Sequence, residues 1–73
     1  TNEKLRERAR RIVEQALEIP SADARELLDA ANGEVKTAIA MRLLGVDAAT
    51  ARTHLQAAQG NLRAAVESKD GTS

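Results

Sequence analysis

The sequence predicts an all-α fold of five short helices: a first helix, then two repeated helix–glycine–helix hairpins. Three observations carry this. The 73 residues contain no Phe, Tyr, Trp or Cys, so the core must be built from sixteen Leu, Ile, Val and Met side chains and fifteen alanines. That mixture suits closely approaching helices and suits a sheet poorly. Apolar residues recur three and four apart in runs that end at Asn, Gly or Pro. Finally, "ADARELLDAANGEVKTAI" returns 27 residues later as "ATARTHLQAAQGNLRAAV", with Ala24, Arg25, Leu28, Ala30, Ala31, Gly33 and Ala38 matched by Ala51, Arg52, Leu55, Ala57, Ala58, Gly60 and Ala65.

The elements follow in order. Residues 3–18 read as a helix with Leu5, Ala9, Ile12, Val13, Ala16 and Leu17 on one face and Asn2 as its N-cap. Ile19-Pro20-Ser21 ends it, because proline disfavours helix in the residue before it. Ser21 is expected to cap a second helix over 22–31, with Ala24, Leu27, Leu28 and Ala31 inward and Asn32-Gly33 as the stop. A third helix, 35–44, turns Val35, Ala38, Ile39 and Leu43 inward and ends at Gly45. Asp47 caps a fourth over 48–58, which buries Ala51, Leu55 and Ala58. Gly60 stops that one, and Asn61 caps a fifth helix carrying Leu62, Ala65 and Val66. Residues 1–66 thus read as one domain, with 1–18 as first helix, 21–45 and 47–68 as the hairpins, and 67–73 as a flexible polar tail.

Composition excludes several function classes. The net charge is zero and aromatics are absent, so neither the basic excess nor the stacking surface of a nucleic-acid binder is present. Apolar runs are far too short to span a membrane. No signal-peptide pattern precedes the first helix, so a soluble cytoplasmic protein is expected, and the abrupt start suggests a segment of a longer chain. A chain this short buries only about 60% of its unfolded surface. One His cannot build a triad or a His-based metal site, and His54 reads as a half-buried packing residue at the place of Leu27. No glycine belongs to a phosphate-binding loop. Asp23, Glu26 and Asp29 read as surface charges of the second helix. No catalytic residue, cofactor or metal ligand is expected in this chain. Used as a DNA-reading helix, the third could offer only Lys36, Thr37 and Arg42.

The opening "TNEKLRERARR" holds five cations, Lys4, Arg6, Arg8, Arg10 and Arg11. At about 100° per residue, Lys4, Arg8 and Arg11 form a basic stripe beside the apolar face. Glu3, Glu7, Glu14 and Glu18 form an acidic stripe on the far side. The plain reading is a solvated helix with Glu7–Arg11 as an i,i+4 pair. The functional reading is a basic stripe placed to meet an anion, most simply a phosphate.

Two resemblances follow from these residues. Leu28 to Ala38, "L-x-x-A-x-G-x-V-x-x-A", resembles the ubiquitin-associated domain. That family usually contacts ubiquitin through a Met-Gly-aromatic loop, where this chain has Glu18-Ile19-Pro20-Ser21, so the likeness is one of packing architecture. Nearly the whole chain, residues 1 to about 66, resembles the C-terminal part of N-acetylmuramic acid 6-phosphate etherases, sugar isomerase-fold lyases of bacteria related to glucokinase regulatory protein. Its most specific parts are Thr1-Asn2-x-Lys4-Leu5-x-x-Arg8-Ala9 and Val35-Lys36-x-Ala38-Ile39-x-Met41 followed by Gly45. Gln59-Gly60 stands where Gly-Gly is commoner in the family.

The resemblance implies a parent that cleaves the D-lactyl ether of N-acetylmuramic acid 6-phosphate, giving N-acetylglucosamine 6-phosphate and D-lactate in amino sugar catabolism and cell wall recycling. Its acid and base would lie in an upstream sugar isomerase domain. This chain would be the non-catalytic helical domain that covers the sugar-phosphate site and supports contacts of a homodimer. It also implies Asn2, Lys4 and Arg8 as substrate-binding candidates for a sugar phosphate. The competing reading is a free-standing interaction module that binds a partner helix or peptide in the groove between the hairpins.

Overall fold

A computed structural model describes the backbone of residues 2–71 and the side-chain surroundings of residues 3–67. Five helices make up the fold: α1 (Asn2–Leu17), α2 (Ser21–Ala30), α3 (Val35–Leu44), α4 (Ala48–Ala57) and α5 (Leu62–Gly71). The all-α expectation holds. The boundaries are set by the predicted signals, with Asp47 accepting the Thr50 N–H at 2.8 Å and Asn61 accepting the Ala64 N–H at 3.0 Å. The Asn2 side chain, read as the first cap, lies outside the described residues. Ser21 is not a cap. Pro20 takes that position, its extended backbone (φ −65°) offering its carbonyl to the Ala24 N–H at 3.1 Å, and Ser21 opens the helix proper. Helix α5 runs through Glu67, which pairs with Arg63 at 3.2 Å, and on to Gly71.

Helix α3 is the centre of the molecule. It packs on all four other helices, with α1 and α2 against one side and α4 and α5 against the other. Four consecutive residues, Thr37, Ala38, Ile39 and Ala40, are therefore buried, as expected of a helix covered on opposite faces. One core half gathers Val13, Ala24, Leu28, Ala31, Ala38 and Ile39; the other gathers Ala40, Leu44, Ala51, Leu55 and Ala65. Met41 and Leu62 pack against both. Six of these eleven buried apolar side chains are alanine, which lets the helices approach closely without aromatic filling.

Two inward assignments are corrected. Leu44 is buried (2% exposed) and Leu43 is not (50%), because Ala40 and Leu44, four apart, stack towards α4 and α5 while Leu43 lies a residue off that line. On α1 the apolar arc is broader than the surface available to cover it. Ala9, Val13 and Leu17 face the core, while Leu5 (65% exposed), Ile12 (45%) and Ala16 remain outside.

The 27-residue repeat extends to the backbone. Asn32 and Gln59 share φ 58°, and Gly33 and Gly60 have φ 83° and 80°. The Gly33 and Gly60 N–H groups donate to Leu28 and Leu55 carbonyls at 2.8 and 2.7 Å. The correspondence also reaches back into α1, where Ile12 and Leu17 match Ile39 and Leu44. Glu18 (φ 53°) stands where Gly45 (φ 68°) ends α3, and Ile19 N–H to Glu14 O (3.2 Å) matches Val46 N–H to Met41 O (3.1 Å). The last part of α1 is thus the geometric counterpart of α3.

Leu28 and Leu55, each 8% exposed, occupy equivalent core positions. Truncating either to Ala should cost about 2–5 kcal/mol, read as loss of the folded baseline in urea titration; unchanged midpoints in both variants would refute the two-part core. Glu18→Gly should act oppositely. It removes a left-handed penalty of about 1–2 kcal/mol against a glycine entropy cost of about 0.5–1 kcal/mol. The thermal midpoint should then rise by roughly 2–8 °C, and a fall would show that Glu18 is held by something other than its backbone.

Candidate functional site

Helix α1 presents the charges that the sequence singled out, and the structure sorts them. Arg10 is tied inward: its Nε lies 3.1 Å from Glu14 Oε2, and its guanidinium also reaches Glu7 at 3.8 Å. The Arg10 Nε and Glu14 Oε2 atoms are withdrawn from water but are misaligned for a hydrogen bond, so their attraction is coulombic. Arg11 donates to Glu7 at 3.4 Å, the i,i+4 pair the spacing predicts. Lys4 and Arg8 are exposed, and among the described residues neither has an ion pair or side-chain hydrogen bond. Asn2 begins the helix, its side chain outside the described residues. Glu18 leaves the acidic stripe because α1 ends at Leu17.

Two clefts flank this framework, and they are related by the repeat. The larger, about 650 Å³, lies between α1 and α2 and is lined by Leu5, Ala9 and Leu28 together with charged residues of both signs, among them Arg6, Arg25, Glu3 and Asp29. Lys4 and Arg8 do not line it. The second, about 570 Å³, lies between the hairpins and contains Arg52, the repeat counterpart of Arg25. Arg52 straps this groove: its Nε donates to Glu34 Oε1 at 3.1 Å and its Nη2 to the Ala31 carbonyl at 3.3 Å. The buried Thr37 hydroxyl donates to the same Glu34 oxygen at 2.7 Å. Lys36 bonds the Gly60 carbonyl at 2.8 Å. Lys36 and Thr37 are therefore engaged in holding turns rather than displayed on a reading helix. His54 is half-buried, as its place at the repeat position of Leu27 predicts. No group of three metal-ligating side chains occurs among the described residues. No described helix is long and apolar enough to cross a membrane.

The strap has an electrostatic signature. The Thr37 hydroxyl, and after it the Arg52 guanidinium, hold the Glu34 carboxyl below its ordinary value. Hydrogen bonds from Thr50 hold Asp47 down in the same direction. No sequence pattern announced the Arg52–Glu34 contact, which joins residues 18 apart. The matched Arg25 and Arg52 were its only trace.

Relatives place this arrangement. A protein from Gloeothece citriformis is 43% identical over 68 residues, which is 93% of this chain and 22% of that protein. One from Rubrobacter xylanophilus is 54% identical over 46 residues (63% of this chain, 15% of that protein). One from Pseudoalteromonas atlantica is 55% identical over 47 residues (64% and 15%). All three are named N-acetylmuramic acid 6-phosphate etherase, and the match covers their C-terminal end. This chain is related to the C-terminal end of N-acetylmuramic acid 6-phosphate etherases. It spans about a fifth or less of the length of these etherases. No family model matches it. No solved structure matches it.

Glu34 binds fewer protons at a given pH folded than unfolded. Its contribution to stability is therefore present above the ordinary glutamate value of 4.5 and is lost as pH falls through the lower folded value. Asp47 adds to the same trend below 3.8. Thermal midpoints followed downward from neutral pH should fall through this acid range, and Glu34→Gln should flatten the fall. An unaltered acid limb in that variant would show that the strap does not depend on the Glu34 charge.

Proposed function

We propose that this chain is the non-catalytic C-terminal helical domain of a bacterial N-acetylmuramic acid 6-phosphate etherase. In that role it covers the sugar-phosphate site of an upstream sugar isomerase domain, and it supports dimer contacts of the whole enzyme. The observation that carries the reading is the sorting of the α1 cations. Arg10 and Arg11 are neutralised by Glu7 and Glu14, whereas Lys4 and Arg8, in one of the two stretches that carry the resemblance, have no partner among the described residues; Arg6, also without one, lies on the cleft side.

The physics suits a phosphate. A doubly charged anion is held best by cations fixed in advance, and charge-assisted hydrogen bonds are the strong ones. Lys4 and Arg8 stand one helical turn apart on a regular helix, so their spacing is set before any ligand arrives. Asn2, whose side chain lies outside the described residues, is the neutral donor of the candidate set. The cleavage of the lactyl ether, with release of D-lactate and N-acetylglucosamine 6-phosphate, belongs in this proposal to acidic residues of the upstream domain. The enzyme would work in the cytoplasm, with the sugar phosphate as its substrate and no cofactor.

In a full-length etherase ending in this segment, Lys4→Ala or Arg8→Ala should lower kcat/KM while leaving the fold intact. A charge-assisted hydrogen bond of about 1.5–3 kcal/mol corresponds to a loss of roughly 10- to 150-fold. Wild-type kinetics in both variants would remove Lys4 and Arg8 from the substrate site. The 73-residue chain alone should release no D-lactate from the sugar phosphate, and measurable release would overturn its non-catalytic role.

A further inference from the structure

The apolar arc of helix α1 is only partly covered. Ala9, Val13 and Leu17 pack against the core shared with α2 and α3. Leu5, which also lines the cleft towards α2, Ile12 and Ala16 continue the arc beyond that cover, with Leu5 65% and Ile12 45% exposed. At about 100° per residue these three lie within about 40° of one another, so they make a single line along most of the helix. Arg8, Gln15 and Lys4 border that line on one side, and the buried face borders it on the other. The apolar arc of α1 is thus wider than the domain's own helices cover, and its uncovered strip is placed to meet a second layer.

We infer that the Leu5–Ile12–Ala16 line seats α1 on the domain that precedes this segment in a full-length etherase, so that α1 is packed between the two domains. The inference rests on the reading of the chain as an etherase segment. Two arguments choose this occupant over a second copy of the chain. The first is length. The etherase from Gloeothece citriformis has only 22% of its length matched by this chain, and the match lies at the C-terminal end, so most of that protein lies before α1. The exposed line begins at Leu5, within the first turns of the helix, where such a domain joins it.

The second argument is area. Two aliphatic side chains and one methyl group fall far short of the ~800 Å² per partner that stable association of free molecules requires. A covalent tether raises the effective concentration of the partner to about the millimolar range, where a small patch suffices. The partner surface should therefore be an apolar shelf for Leu5 and Ile12, with hydrogen-bond acceptors or an anion at the edge facing Lys4 and Arg8.

The test is the double variant Leu5→Gln/Ile12→Gln, made both in the 73-residue chain and in a full-length etherase ending in it. Glutamine retains helix propensity. The variant chain should remain helical, with a thermal midpoint within about 2–4 °C of the wild type, as for exposed positions. In the full-length enzyme the same variant should expose the junction before α1 to trypsin about tenfold faster or more, since cleavage follows the undocked population. Unchanged proteolysis of the full-length variant would overturn the inference. Unfolding of the variant chain would do so too, by assigning the line to the domain's own core. A wild-type 73-residue chain that sediments as a dimer, and as a monomer once the two residues are changed, would assign the line to a second copy instead.

The sugar-phosphate reading fails separately. Faster proteolysis of the Leu5/Ile12 variant, together with normal kinetics of the Lys4 and Arg8 variants, leaves docking standing and removes the ligand contacts. Slow Lys4 and Arg8 variants with unchanged proteolysis do the reverse.

Discussion

The double-sided burial of α3 is the constraint on which the rest of the structure depends. Four consecutive buried residues leave no solvent face over that stretch, so every neighbour must approach within the reach of small side chains. Ala38 and Ala40 permit that approach from opposite sides, and Ala24, Ala31, Ala51 and Ala65 meet them from the surrounding helices. Thr37 is the one polar residue in the run, and its hydroxyl is satisfied by Glu34. That bond also places Glu34 to receive Arg52, so the requirement to pair one buried hydroxyl helps fasten the two hairpins together.

The same geometry decides which charges are available. With α2 and α3 covering the Val13 side of α1, Arg10 and Glu14 are drawn to the edge of the packed surface and pair there. Lys4 and Arg8 are left on the opposite edge, beyond the line of Leu5 and Ile12. Charge segregation in the helix and the position of the core thus act together. Arg10 and Arg11 take up Glu7 and Glu14 of the acidic stripe, and the outer side keeps cations and aliphatic surface next to one another.

Local signals were legible in the sequence, and the direction of packing was less so. Asp47, Asn61, Gly33, Gly45 and Gly60 mark their turns because each acts on backbone groups within five residues. Periodicity locates the apolar arc of α1 but not the fraction of it that neighbours can cover. Nor does it separate Leu43 from Leu44: on a helix covered from both sides the apolar residues no longer form one stripe. Of the candidate site, the separation of Lys4 and Arg8 from Glu3 and Glu7 could be read from spacing alone. The engagement of Arg10 by Glu14, and of Arg52 across the hairpins, depends on rotamers and on tertiary approach, which spacing does not contain. The reach of the 27-residue frame back into α1 was hidden because Glu18 occupies a glycine's conformation without being glycine.

Because α3 belongs to both halves of the core, loosening it should cost more than loosening the helices around it. Either outer pair of helices can loosen while α3 keeps cover from the other pair; α3 cannot loosen without opening both. Slowly exchanging amides should therefore concentrate in α3, and low-energy excursions should be confined to the periphery. Helix α1 is part of that periphery. The element that carries the exposed cations and aliphatic line is thus also one that can adjust its angle without breaking the centre, which is what a surface meeting a separate domain requires.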